Sequence, residues 1–211
     1  MTKEQFIEEV EKLGIKLTEE QLILLNKFYI LLIEWNKKIN LTRITEQEEV
    51  YLKHFYDSLT ISKVIDLSKV DTLCDVGTGA GFPGIVLKIV YPNLKITLVD
   101  SLNKRVVYLN EIIKELNLEN IKAIHTRGED LKEKFDIVTA RAVANIEKLL
   151  KYTMHLVEQN GKFIAMKGNI QEELTKEVKI KILSKYKIER IEQFDLPIEN
   201  SKRSLLVIKN K

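Results

Sequence analysis

The stretch Cys74-Asp75-Val76-Gly77-Thr78-Gly79-Ala80-Gly81-Phe82-Pro83-Gly84 limits the folds open to this chain more than any other. It follows the short apolar run Thr72–Val76 directly and leads into an amphipathic segment, so its glycines sit in a strand-to-helix turn. Glycine lets the backbone turn tightly there and approach a ligand where a Cβ would collide. Pro83, with its fixed φ, suits the first helical turn, and the helix N-terminus beyond it offers N–H groups and a positive dipole to a carboxylate or phosphate. Strand, glycine turn and helix in that order build a βαβ unit, hence a mostly parallel sheet with a nucleotide-like ligand at the strand ends.

The pattern on either side agrees with an α/β fold. From Val70 onward short apolar runs alternate with amphipathic stretches, and five strands are expected at Thr72–Val76, Lys95–Asp100, Ile121–His125, 135–140 and 162–167. Leu102, Val106, Leu109, Ile113 and Leu116 step by four and three, which predicts a helix with one buried face and Asn117 as its C-cap. Asn160-Gly161 reads as a turn before the fifth strand, residues 170–185 as a Lys/Glu-rich surface helix, and 187–194 and 204–209 as two late strands joined by the Pro197 loop. Consecutive strands without an intervening helix favour an antiparallel edge. Upstream, residues 1–65 read as a helical cap on the 66–211 unit. Thr18 and Gln21 make a capping box for a long helix running to about Ile39, and Thr45 with Glu48 repeats the signal for a further helix through His54 and Leu59.

Composition removes several function classes. Lys+Arg 34 against Asp+Glu 31 gives a net charge of only +3, so any nucleic-acid contact rests on local patches and not on a cationic arm. The single cysteine, Cys74, excludes an intrachain disulfide, and with only His54, His125 and His155 beside it no Cys/His cluster has zinc spacing, so no metal is expected. The acidic start is unlike a signal or transit peptide, and no apolar run approaches the roughly 18 residues of a membrane span. A reducing cytoplasm is the expected location.

Gly79-x-Gly81-x-x-Gly84 also satisfies the dinucleotide fingerprint, so glycines alone do not separate NAD from S-adenosylmethionine. Asp100 ends the second strand near the offset at which an acid accepts bonds from ribose hydroxyls, and this supports either ligand. Asp75, just ahead of the first glycine, occupies a position usually apolar in dinucleotide folds; an acid there can organise the loop around a cationic sulfonium.

Trp35-Asn36, Asn40-Leu41-Thr42, His54 with Asp57-Ser58-Leu59, the loop from Asp75 to Gly84, the run from Leu98 to Val107, and Ala140-Arg141-Ala142 together resemble the bacterial 16S ribosomal RNA guanine-N7 methyltransferases, the glucose-inhibited division protein B or RsmG family. The likeness spans nearly the whole chain in order. It implies a Rossmann-like class I S-adenosylmethionine-dependent methyltransferase domain with a helical N-terminal cap, acting on a guanine of the 530 loop in 16S rRNA or the small subunit, as a monomer. By that likeness Gly77, Gly79 and Phe82 line the cofactor cleft, Asp100 and Ser101 meet the ribose, Gly128 and Glu129 flank the adenine, and Arg141 borders the methyl donor. Gly128 departs from the expectation of a side chain with a Cβ beside the acid, which leaves a backbone contact to the adenine.

Guanine N7 carries an in-plane lone pair and needs no proton removed before it attacks a methyl group, so no general base is expected; alignment and electrostatics carry the rate. Cys74 lies within a strand and reads as a buried structural thiol, not a nucleophile. His54 beside Asp57 is open between acid/base and pairing roles. Lys167, ending the fifth strand, is a candidate contact to RNA phosphate or guanine O6, and Lys202-Arg203, with Lys37, Lys38 and Arg43, are further basic spots placed to position the RNA backbone. Lys104 and Arg105 in the first turn after Asp100 oppose the helix dipole, so a ligand or an acidic neighbour should compensate. One of Tyr51, Phe55 and Tyr56 could stack on a flipped base, with core packing expected for at least two of them. The alternatives are a small-molecule methyltransferase, a noncatalytic RNA-binding assembly factor and, third, an NAD oxidoreductase.

Overall fold

The computed structural model describes residues 1–141 and 144–211; Ala142, the last residue of the Ala-Arg-Ala motif, lies outside the described residues. Helix α1 (Lys3–Lys12) and helix α2 (Glu19–Ile39) both open on capping boxes, at Thr2/Gln5 and, as the spacing predicts, at Thr18/Gln21. α2 ends at Asn40, in the left-handed region at φ 50°. Asn36 Oδ1 then accepts from the N–H groups of Leu41 and Thr42, at 2.7 and 2.8 Å, which fixes the turn that delivers Thr42. Helix α3 (Gln47–Val50) starts after Glu46 with no side-chain cap, so the Thr45/Glu48 signal is not used. It continues through a π-helical stretch, Tyr51–Tyr56, into helix α4 (Asp57–Leu59). The stretch turns Tyr51 and Phe55 onto Phe6 and Phe28, with ring centroids 5.1 Å apart for Phe6–Tyr51 and 5.8 Å for Phe28–Phe55. All three aromatics proposed for base stacking are therefore core residues, because their rings fill the seam between the N-terminal helices.

Seven strands form one sheet: β1 (Thr72–Val76), β2 (Lys95–Asp100), β3 (Ile121–His125), β4 (Phe135–Arg141), β5 (Val157–Lys167), β6 (Tyr186–Asp195) and β7 (Lys202–Asn210). Their order is β3-β2-β1-β4-β5-β7-β6; the first five pair in parallel, and β7 runs antiparallel to both β5 and β6. Helices α5 (Gly84–Val90), α6 (Asn103–Glu115), α7 (Ile146–Thr153) and α8 (Lys176–Lys185) connect the strands. Side chains alternate between two cores. Leu73 and Leu98 face one shared with α5, α6 and the N-terminal helices; Cys74, Val76 and Val99 face the other, with Leu149 and Phe163. The chain order reverses between β1 and β4, which leaves a crevice beyond their C-terminal ends.

Two elements differ from the sequence reading. Asn160-Gly161 lies inside β5, not before it: the β4–β5 register slips between Phe135 and Ile137, and a Cβ on Gly161 would come 2.7 Å from the Asp136 carbonyl. The late helix begins at Lys176, because Ile170 and Leu174 are buried in the second core and Thr175 caps the helix through Val178 N. His155 sits in a single 3₁₀ turn after α7, its Nε2 3.1 Å from the Leu131 carbonyl. Asn117, at φ 48°, directly follows the C-cap Leu116 of α6.

Candidate functional site

The loop after β1 is shaped by two buried carboxylates. Asp75 Oδ2 accepts from Thr78 Oγ1 at 2.7 Å and from Gly84 N at 2.9 Å, so the first amide of α5 is held by the protein and does not face a ligand. A Cβ on Gly84 would lie 2.2 Å from Leu98 Cδ2 and 3.0 Å from Asp75 Oδ2, which is why glycine stands there. Asp75 Oδ1 is buried without a hydrogen-bond partner among the described residues. Burial, partly offset by the bonds from Thr78 and Gly84, pushes the Asp75 carboxyl up to about 6. Asp100 Oδ2 accepts from Gly79 N at 3.0 Å and from Arg105 Nη1 at 3.3 Å, while Oδ1 accepts from Leu102 N at 2.9 Å. Arg105, a cation at the wrong helix end, is thus compensated by Asp100. Gly77 and Gly79 carry positive φ, 73° and 61°, so at these two positions the loop presents backbone to the crevice, with Phe82 as its bulky side chain there.

The other side of the crevice is built from side chains that four elements bring together. Arg141, at the end of β4, donates through Nη1 to the Lys53 carbonyl at 2.9 Å and to Asp57 Oδ2 at 3.1 Å, and its guanidinium lies 5.2 Å from the Phe82 ring centroid. Asp57 Oδ1 accepts from Arg203 Nε at 3.0 Å, so one buried carboxylate joins the ends of β4 and β7 to the N-terminal helices. Arg203 Nη1 also donates to the Lys202 carbonyl, which leaves its plane fixed from two sides. The His54 ring stacks on Phe82, with centroids 4.4 Å apart.

His54 Nδ1 lies 3.2 Å from both the Lys53 carbonyl and Arg141 Nη2. A guanidinium can only donate, so Nδ1 must accept from Arg141 Nη2; we assign the lone pair to Nδ1 and the proton to Nε2, which faces Thr42 Oγ1 at 3.0 Å. Burial first, and the Arg141 charge second, push the imidazole down to about 3. His54 is therefore neutral near pH 7 and serves as a packed, hydrogen-bonded surface, not as an acid or base.

These groups line a cleft of about 380 Å³. Of the residues singled out from the sequence, Gly77, Gly79, Phe82, Arg141, His54, Asp57, Lys167 and Arg203 border it. Asp100 stands behind the loop, bonded to Gly79. Ser101 and Glu129 are exposed past the ends of β2 and β3. Gly128 is buried where a Cβ would come 2.8 Å from Val76 Cγ1 and 3.1 Å from the Tyr152 carbonyl, a packing reason for the missing side chain. Lys167 reaches the cleft with its stem, but its ammonium donates to the Ala144 carbonyl and pairs with Glu173 at 3.0 Å. Lys38 lies over Trp35, 4.9 Å from the ring centroid. Cys74 is buried, and burial raises its thiol far above the usual range. Sequence reasoning gave no role to Thr42, Lys53 or Phe194, which also line the cleft. Thr42 stood in a motif already quoted, whereas Phe194 sits in an alternating strand pattern that carries no ligand signal.

A family model described as GidB, rRNA small subunit methyltransferase G, matches residues 21–202. The Ribosomal RNA small subunit methyltransferase G of Bacillus licheniformis is 48% identical over 219 residues, covering 100% of this chain and 91% of that protein. The protein of the same name from Bacillus subtilis is 45% identical over 216 residues, covering 99% and 90%. Among solved structures, a mutant of MtNAS in complex with S-adenosylmethionine superposes with a TM-score of 0.61 at 15% identity, covering 90% of this chain and 76% of that one. A SAM-dependent methyltransferase from Aquifex aeolicus gives a TM-score of 0.58 at 17% identity, covering 83% and 97%. The structural likeness is one of fold: a Rossmann-like class I methyltransferase sheet, mostly parallel with antiparallel last strands.

Proposed function

The chain belongs to the GidB family of small-subunit ribosomal RNA methyltransferases, and from that membership we propose that it methylates 16S rRNA at N7 of a guanine, using S-adenosylmethionine. The observation that carries this reading beyond the family is the division of the crevice. A backbone-lined, acid-backed pocket lies on one side, and a side-chain wall without a titratable base lies on the other.

The residues present fit the cofactor. Asp75 and Asp100 hold the loop from behind, through Thr78, Gly84 and Gly79, and so keep the Gly77–Gly79 backbone open for close approach of a ligand. Asp100 Oδ1, with a single donor, has capacity for a ribose hydroxyl, and Ser101, Gly128 and Glu129 lie where β2 and β3 end, on the adenine side. When bound, S-adenosylmethionine supplies an electrophilic methyl group that the in-plane lone pair of N7 accepts without prior loss of a proton.

Phe82 and His54 stack on each other in the wall of the cleft, and Arg141 lies over the Phe82 ring, so the wall beside the methyl donor is rigid and carries fixed positive charge. Arg203, steadied by Asp57, presents a guanidinium to the carbonyl O6 that sits beside N7 on the same base edge. Asp57 spends both oxygens on the two arginines, so it orients them and does not touch RNA. Lys167 closes the floor through its stem. The chain acts as a monomer in the cytoplasm, on the small subunit or an assembly intermediate.

The test is incubation with labelled S-adenosylmethionine and unmodified small subunits, followed by nucleoside analysis. Label in 7-methylguanosine at one 16S site is expected. Label in another nucleoside, or none in RNA while the cofactor still binds, rejects the reading and shifts weight to a small-molecule acceptor.

A further inference from the structure

A second cavity, of about 260 Å³, adjoins the cleft, and the two share Phe194 and Arg203 as a common wall. Its lining mixes apolar and polar surface: Phe194 forms one wall, Asn169, Gln171 and Gln193 contribute amides, and Lys202 stands at the rim in an ion pair with Asp195 at 2.8 Å. Asn169 spends its amide on Gln171 N and Glu172, but the two glutamine amides are not saturated. Gln171 Nε2 and Gln193 Oε1 meet only at 3.5 Å, so the Gln171 carbonyl and the Gln193 amino group have no partner among the described side chains. These two residues come from different parts of the fold, the segment after β5 and strand β6. No element of the methyl-transfer reading uses them.

We infer that this cavity is a subsite for the nucleotide adjoining the methylated guanine, and the inference rests on the RNA-methyltransferase reading above. A guanine delivered to the cleft remains covalently linked to its neighbours, so the strand must leave past one wall. The wall formed by Arg203 and Phe194 has room behind it of the same order as the cleft itself. Primary amides offer a paired donor and acceptor that match the edges of an unpaired base. Arg203, held in plane by Asp57 and the Lys202 carbonyl, gives the base a flat cationic surface to pack on. Lys202, 70% exposed at its side chain, is placed for the intervening phosphate.

The test uses the full chain and a fluorescent single-stranded RNA nonamer with guanine at its centre and mixed bases elsewhere. Its affinity is read by anisotropy, with each position flanking the guanine made abasic in turn. Gln171→Ala and Gln193→Ala are expected to weaken the nonamer about fivefold each, on the scale of one lost hydrogen bond, while calorimetric affinity for S-adenosylmethionine stays within about twofold. One abasic position should weaken the wild type about tenfold yet change Gln193→Ala by less than about twofold, the mark of a direct pair. If every abasic position weakens wild type and variant alike, or neither variant loses affinity, the subsite is overturned. If the coupling is seen but small subunits gain no methyl group from the wild type, the subsite stands and the proposed reaction falls.

Discussion

The two halves of the crevice are made by different means. The loop side, from Asp75 to Gly84 with Asp100 behind it, is backbone folded over carboxylates that are near neighbours in sequence or in the sheet. The wall side, Arg141, Asp57, His54 and Arg203, is made of side chains, and its ion pairs join residues 84 and 146 positions apart. A backbone site keeps its form as long as the turn does. A side-chain site depends on each charge keeping its partner, so substitutions should separate the two.

Arg141 belongs to both halves, and its removal should have the largest effect. Arg141→Ala leaves Asp57 with one partner and uncovers Phe82; we expect a loss of about 3 kcal/mol in urea unfolding and of about a thousandfold in kcat/KM on RNA. A variant of wild-type stability and activity would break the idea that this side chain holds the halves together.

Acid titration should pull the halves in opposite directions. His54, favoured neutral, contributes stability that is complete above its ordinary value near 6.5 and is lost as pH falls toward about 3, roughly 3 kcal/mol by about pH 4. Asp75, favoured protonated, is the reverse: folding gains as pH falls from about 6, again roughly 3 kcal/mol by about pH 4, and loses that gain as pH rises. The wild type should therefore show little net slope from these two groups. Unfolding at several pH values should find His54→Asn relatively more stable in acid and Asp75→Asn relatively less; two variants that track the wild type would contradict both assignments.

A narrower effect is expected at Asp100. Asp100→Asn keeps the shape of the side chain but weakens its bonds to Gly79 and Arg105, and should weaken S-adenosylmethionine by about 2 kcal/mol, about thirtyfold by calorimetry, with stability less affected. The smallest effect belongs to Lys53, whose pairs with Glu49 and Glu199 are partly exposed. Lys53→Ala should change stability by less than about 0.5 kcal/mol, because its carbonyl and not its ammonium holds Arg141.

The same division explains what could be read from the residues alone. The glycine turn, its strand and helix, the offset of Asp100 and the Thr18/Gln21 capping box are local patterns, and local physics fixes them. The pairing of Asp57 with Arg141 and Arg203 is long-range; nothing in spacing signals it, although family resemblance drew attention to each motif separately. Lys167 looked available at a strand end, but Glu173, six residues on, occupies its charge because the chain turns back before α8. Of Tyr51, Phe55 and Tyr56 the sequence reading expects at least two in the core, and all three lie there; a helical pattern does not show which ring a neighbouring helix will cover, and so leaves one stacking platform open.

The measurement that bears most directly on the divided crevice is made on Asp57→Asn, which keeps the side chain's shape and removes the charge shared by the two arginines. S-adenosylmethionine affinity and 7-methylguanosine formation on small subunits would be measured side by side. A cofactor Kd within about threefold of wild type, with methyl transfer reduced about a hundredfold, is the predicted result. An equal loss of both, or of neither, would show that the two halves do not work as separate parts.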